Sequence, residues 1–130
     1  MTWVEVFAVL VVSHLVGDFL LQTDWQARNK AGGLGPEPLH RRALVSHVIT
    51  YMAAFIPALV WIGIETDFLW AIVIGLAIAI PHLIQDDRRL LYAYMARVKG
   101  LSETSSGLGV AVDQSFHVLF LFATALLAVA

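Results

Sequence analysis

A bundle of four membrane-spanning α-helices is the fold class this sequence predicts, and three observations predict it. Hydrophobic residues make up 59% of the 130-residue chain and charged residues only 14%, against about a quarter charged in an ordinary soluble domain. Four apolar segments each come near the roughly 20 helical residues that cross a hydrocarbon core of about 30 Å. None of them alternates with period two, which argues against barrel strands. A single integral membrane domain over residues 1–130 follows, its helices running up, down, up, down and so antiparallel to their neighbours.

The first span runs from about Trp3 to Leu21, bracketed by Trp3 and Trp25 at the levels where indole rings prefer to sit. It has no basic start and no small-residue cleavage site, so it reads as a retained helix rather than a signal peptide. The second span covers about Ala43 to Ile64 and the third about Phe68 to Ile84. Pro57 and Pro81 fall inside them, and each frees the carbonyl four residues earlier, at Ala53 and Ala77. Ala71, Gly75 and Ala79 form a small-residue ridge that permits close helix contact. The fourth span runs from about Val110 to Ala130. Before it, Leu91, Tyr94, Met95 and Val98 share one helical face, which predicts a short interfacial helix ahead of the Ser/Gly-rich stretch from Gly100 to Gly109.

Charge is distributed unevenly. Arg28, Lys30, Arg41, Arg42, Arg88, Arg89, Arg97 and Lys99 are all the basic residues, and they belong to the two long connections; the other side offers only Glu5, Glu65 and Asp67. The positive-inside rule places both connections in the cytoplasm and the two termini outside, as in a cytoplasmic (inner) membrane protein. Basic loops next to a membrane also favour an anionic lipid head group. A net charge of -2 gives no reason to expect a nucleic acid partner. The chain has no cysteine, which excludes disulfides, thiolate ligands and cysteine nucleophiles. The segment Ala31-Gly32-Gly33-Leu34-Gly35-Pro36 lacks the Lys-Ser/Thr ending of a phosphate-binding loop.

The chemistry lies in polar pairs within the apolar spans. His14, Asp18 and Gln22 recur at intervals of four on the first helix, as do His47 and Tyr51 on the second, His82 and Asp86 on the third, and Asp113 and His117 on the fourth. Residues four apart share a helix face. With alternating helix directions, all four pairs fall at the cytoplasmic end, and the outer halves stay apolar. Three aspartates at such depth cost up to about 3 kcal/mol each on insertion scales, so something must offset roughly 9 kcal/mol. A divalent metal held by His14, Asp18, His47, His82, Asp86, Asp113 and His117 is the favoured answer, with room for one ion or two about 4 Å apart. Nitrogen and oxygen ligands without sulfur suit zinc, manganese, iron or magnesium. A proton or ion path and a structural Asp–His clamp fit the same residues.

Other residues carry plainer readings. Gln22, Tyr51 and Gln114 are candidates to orient or protonate a substrate, and equally ordinary interhelical hydrogen-bonders. Gly17 permits close packing beside the polar stripe. His40 reads as a solvated loop residue, and Asp87 as a neighbour of Arg88 outside the site.

In His14-Leu15-Val16-Gly17-Asp18-Phe19-Leu20-Leu21-Gln22-Thr23-Asp24, the His47 region, His82-Leu83-Ile84-Gln85-Asp86 and Asp113-Gln114-Ser115-Phe116-His117, the chain resembles a family of small bacterial membrane proteins known as domain of unknown function 3307. The resemblance covers nearly the whole chain and points to the same residues without naming a reaction. In size and His/Asp content the chain is also similar, more loosely, to membrane-bound metal-dependent hydrolases. The expected function is a metal-dependent hydrolase of a lipid-linked or phosphorylated substrate. The alternatives are a proton- or ion-coupled transporter or channel subunit, which four short helices would form only as a homo-oligomer, and a membrane scaffold.

Overall fold

The computed structural model describes residues 1–101 and 107–130, so most of the expected Ser/Gly-rich stretch lies outside the described residues. The chain is all-helical, with no strand among the described residues. The helices are α1 (Trp3–Leu15), α2 (Asp24–Asn29), α3 (Pro38–Glu65), α4 (Phe68–Asp86), α5 (Arg89–Val98) and α6 (Gly107–Ala128), and α1 continues into a π-helical turn over Val16–Leu20. Four of these segments, Trp3–Leu20, Pro38–Glu65, Phe68–Asp86 and Gly107–Ala128, are long and apolar enough to cross a membrane.

Local chemistry accounts for the ends. Thr2 and Glu5 form a capping box at the start of α1, and Thr23 and Gln26 form another at α2; each pair satisfies two backbone donors that a helix start leaves free. α3 begins five residues before the expected Ala43, because Glu37 caps it and Pro38 takes the first-turn position for which its fixed φ is suited. His40 is therefore helical and half-buried, and its Nδ1 donates to the carbonyl of Asn29 at 2.7 Å; it is not the solvated loop residue expected. Asp67 caps α4 by accepting from the Trp70 amide at 2.9 Å.

Helices α1, α3, α4 and α6 pack around a core built from Val6, Leu10, Phe55, Ile62, Ile74 and Leu121, with small residues of α6 closing it. Ring contacts fix which ends meet. Trp3 and Phe7 pack edge-on against Phe122, whereas His14, eleven residues along α1, reaches Gln114. The small-residue ridge does face α3: a Cβ on Gly63 would lie 3.3 Å from Ala71, and one on Gly75 would lie 3.4 Å from Leu59. The carbonyl of Ala77, freed by Pro81, has the Thr124 hydroxyl at 3.5 Å.

On α5, Leu91 and Met95 are buried and Tyr94 packs edge-on against Phe116. Val98 is 63% exposed and does not belong to that face. Val98 is the last residue of α5.

Candidate metal centre

Asp18, His47, His82 and Asp86 each offer one ligand atom, and these four atoms lie within 4.8 Å of one another. His47 Nε2 is 2.8 Å from Asp86 Oδ2, 3.1 Å from Asp18 Oδ1 and 3.2 Å from His82 Nε2. His82 Nε2 is 3.2 Å from Asp86 Oδ2 and 3.7 Å from Asp18 Oδ1. One ring nitrogen has a single bonding direction in its plane, so it cannot serve three such partners as hydrogen bonds. The edges of a tetrahedral shell with bonds of about 2.0 Å would be about 3.3 Å, and those of an octahedral shell with bonds of about 2.1 Å about 3.0 Å. The observed separations scatter around both values.

The π-helical turn places Asp18. Such a turn fits an extra residue into the helix and re-aims the side chains beyond it, and it occurs often at functional sites. The regular four-residue stripe expected for α1 stops at this turn. Asp18 Oδ2 ends 3.9 Å from His14 Nδ1 while Oδ1 faces His47 and His82. Gln22 has left the helix, and its Nε2 lies 3.4 Å from His47 Nε2. Gly17 makes the approach of α1 to α3 possible: a Cβ there would stand 2.7 Å from Cδ2 of Tyr51.

Stacking orients the imidazoles. Tyr51 lies flat on His82, with ring centroids 3.4 Å apart and planes 4° from parallel. Metal-bound histidines usually donate their outer nitrogen to a carboxylate or carbonyl. Here Nδ1 of both His47 and His82 is buried without a hydrogen-bond partner among the described residues, and the Tyr51 ring fixes His82 in place of such a bond.

Three of the residues expected as ligands lie beside the group of four. His14 Nε2 meets Gln114 Oε1 at 2.9 Å, so that nitrogen carries the proton, and Nδ1 accepts from the Tyr51 hydroxyl at 3.1 Å. Both its nitrogens are occupied. Gln114 also donates from Nε2 to Asp18 Oδ2 at 3.2 Å, which makes His14 and Gln114 a support for Asp18. His117 donates from Nδ1 to the carbonyl of Asp113 at 2.9 Å. His117 Nε2 lies 3.6 Å from Asp86 Oδ1, and neither buried atom has a hydrogen-bond partner among the described residues. In a neutral ring Nε2 is an acceptor, and a proton or a metal cation between the two atoms would satisfy both. The Asp113 side chain lines a neighbouring polar cavity instead.

Lys30 enters this site from the connection after α2. It is 3% exposed, and its Nζ donates to Asp86 Oδ2 at 2.8 Å. By sequence Lys30 counts only among the topology-setting charges, and no periodicity marks it. The available signal is the charge balance: three buried carboxylates call for a cation. Arg88 and Gln85 also border the site, and no spacing in the sequence singles them out. Asp87, expected beside Arg88, is instead held by the Arg89 guanidinium, and its side-chain and backbone oxygens accept from the amides of Leu34 and Gly32 at 2.8 and 2.9 Å.

A buried His/Asp group among four helices, each long and apolar enough to cross a membrane, defines the class: an all-helical protein with four candidate membrane spans and a candidate metal centre. The chain belongs to the family described as "Protein of unknown function (DUF3307)", whose family model matches residues 6–130. No curated protein and no solved structure matches it.

Proposed function

We propose that Asp18, His47, His82 and Asp86 hold a divalent metal ion at the cytoplasmic side of an inner-membrane bundle, and that the protein hydrolyses a lipid-linked or phosphorylated substrate there. The crowding at His47 Nε2 carries this reading, since three ligand-type atoms stand within 3.2 Å of it. An ion bound by these residues would lower the pKa of a coordinated water toward 7 and so supply a nucleophile at neutral pH. Asp86 presents a second oxygen, Oδ1, toward His117, and these two residues would hold a second ion if one bound. Gln22 and Gln114 line the adjoining polar cavity, where their amides can orient a substrate.

Charge supports a cation. Asp18, Asp86 and Asp113 with Lys30 and Arg88 sum to -1 when the histidines are neutral, so a bound cation offsets charge that the protein's own basic residues leave. Lys30 already donates to Asp86, so it competes with the ion for the same oxygen. A conduction pathway has less support, because the polar network stops at Tyr51 and His14 and the core beyond, around Phe55, Ile62 and Ile74, is apolar.

Elemental analysis of protein purified in detergent without chelator tests the reading. Stoichiometric zinc, manganese, iron or magnesium is expected in the wild type and is lost in Asp18→Asn and His47→Ala, while Lys30→Met binds the ion at least as tightly. Metal-free wild-type protein overturns the proposal.

A further inference from the structure

The Lys30 ammonium already occupies part of the space around the group of four. Its Nζ is 2.8 Å from Asp86 Oδ2, the same oxygen that stands 2.8 Å from His47 Nε2 and 3.2 Å from His82 Nε2. That oxygen is the one an ion held by the two imidazoles would take as its carboxylate ligand. An ammonium and a divalent cation on one buried oxygen repel each other with little screening from solvent. Binding the ion is easiest if the ammonium leaves.

The backbone of Lys30 is not free to carry it away. Lys30 ends α2, its amide donating to the carbonyl of Gln26 at 2.9 Å, and its own carbonyl accepts from the Gly33 amide at 3.1 Å. His40 holds the carbonyl of Asn29 on one side, and Asp87 accepts from Gly32 and Leu34 on the other. With the Cα anchored from both directions, the four-carbon side chain is the part that can turn. The space beside it is a polar cavity of about 120 Å³, which Lys30 lines together with Asp18, Arg88, Asp113 and Gln114; at roughly 30 Å³ per water, it has the volume of several waters. Asp113 is 8% exposed, and its carboxylate makes no ion pair among the described residues. Arg88 shares the cavity without pairing to it. A buried carboxylate with no cation beside it is costly, so Asp113 is an open landing place for the ammonium.

We propose that Lys30 is a two-position cation: its ammonium neutralises Asp86 when the group of four holds no metal, and crosses the polar cavity to Asp113 when a divalent ion binds. Three donors on a flexible stem suit such an exchange. Asp86 keeps a cation in both states, and Asp113 gains one in the loaded state. Asp113 thereby acts as the receiver of the lysine and not as a ligand. The proposal rests on the metal reading of Asp18, His47, His82 and Asp86 and needs no hydrolytic activity.

Calorimetric titration of zinc, and separately of manganese, into the metal-stripped full chain in neutral detergent tests it through a double-mutant cycle. Lys30→Met is expected to tighten binding at least tenfold, because the competing ammonium is gone. Asp113→Asn should weaken binding at least tenfold while Lys30 is present and have little effect in the Lys30→Met background. A ligand role for Asp113 gives the loss in both backgrounds, and a lysine that stays on Asp86 gives equal effects in both; either result overturns the proposal. Lys30 and Lys99 are the only lysines of the chain, so nitrogen-15 labelling of the lysine side chains gives two ammonium signals and a check that needs no variant. The Lys30 signal should shift in proportion to bound zinc while that of Lys99 stays. A Lys30 signal unchanged at saturation overturns the proposal even where Lys30→Met fails to fold. Absence of binding in both the wild type and Lys30→Met removes the metal reading and the exchange with it, whereas binding with an additive cycle removes the exchange alone.

Discussion

Single atoms decide how the site is assembled. Gly17 is the clearest case, since its missing Cβ is the space that Tyr51 occupies. Gly17→Ala is expected to destabilise the protein by about 1–3 kcal/mol, the range for overpacking a close contact, and to shift Tyr51 from its stack on His82. Gly75→Ala makes only an ordinary contact with Leu59 and gains helix propensity, so it should be neutral or stabilising by up to about 1 kcal/mol. Thermal unfolding of both variants in detergent distinguishes the two. The roles of His14 and Tyr51 come from hydrogen-bond partners that no spacing rule reveals. Sharing a helix face with Asp18 suggests a ligand at His14, yet its two nitrogens are taken by Tyr51 and Gln114 from other helices.

Between elements, the joints carry the information. The π-helical turn at Val16–Leu20 moves Asp18 and Gln22 out of the simple stripe, and nothing in an apolar run of that composition announces it. The glycine-rich connection is held to the end of α4 by Asp87. Burial pushes the Asp87 carboxyl up, but the Arg89 guanidinium and the Leu34 amide outweigh it and hold the group below the usual carboxylate range. A carboxyl lowered on folding adds stability above its ordinary value, near 4, and loses it as pH falls through the lower folded value. Protection of the Leu34 amide from hydrogen exchange, corrected for intrinsic rate, should therefore be full at pH 5 and decline only below about pH 4. Asp87→Asn should lower that protection at neutral pH and abolish the pH step; a profile unchanged by the substitution would remove Asp87 as the clasp.

For the molecule as a whole, orientation is the property that charge predicts. The absence of cysteine makes single-cysteine labelling clean. In intact cells, Thr66→Cys should react with a membrane-impermeant maleimide, and Gly35→Cys should react only after the membrane is opened; the reverse pattern would refute the cytoplasmic placement of the site. Lys30 refines the positive-inside argument, because it is committed to the buried site and Arg88 lines the polar cavity beside it, which leaves six of the eight basic residues outside that site.

Four apolar stretches and the polar pairs within them are enough to read the helical class and the residues of interest, because both follow from the 3.6-residue period and from the cost of polar groups in hydrocarbon. The ends of the four long helices lie within three residues of those expected except at α3, where a proline start lengthens the helix, and the short helix α2 lies in a stretch read as a loop. Which groups converge as a candidate ion site, which stand beside them, and that a lysine from a connecting segment enters among them are not legible. Those outcomes depend on contacts between residues 25 to 100 positions apart, and such contacts arise from helix packing, the π-helical turn and one missing Cβ rather than from local pattern.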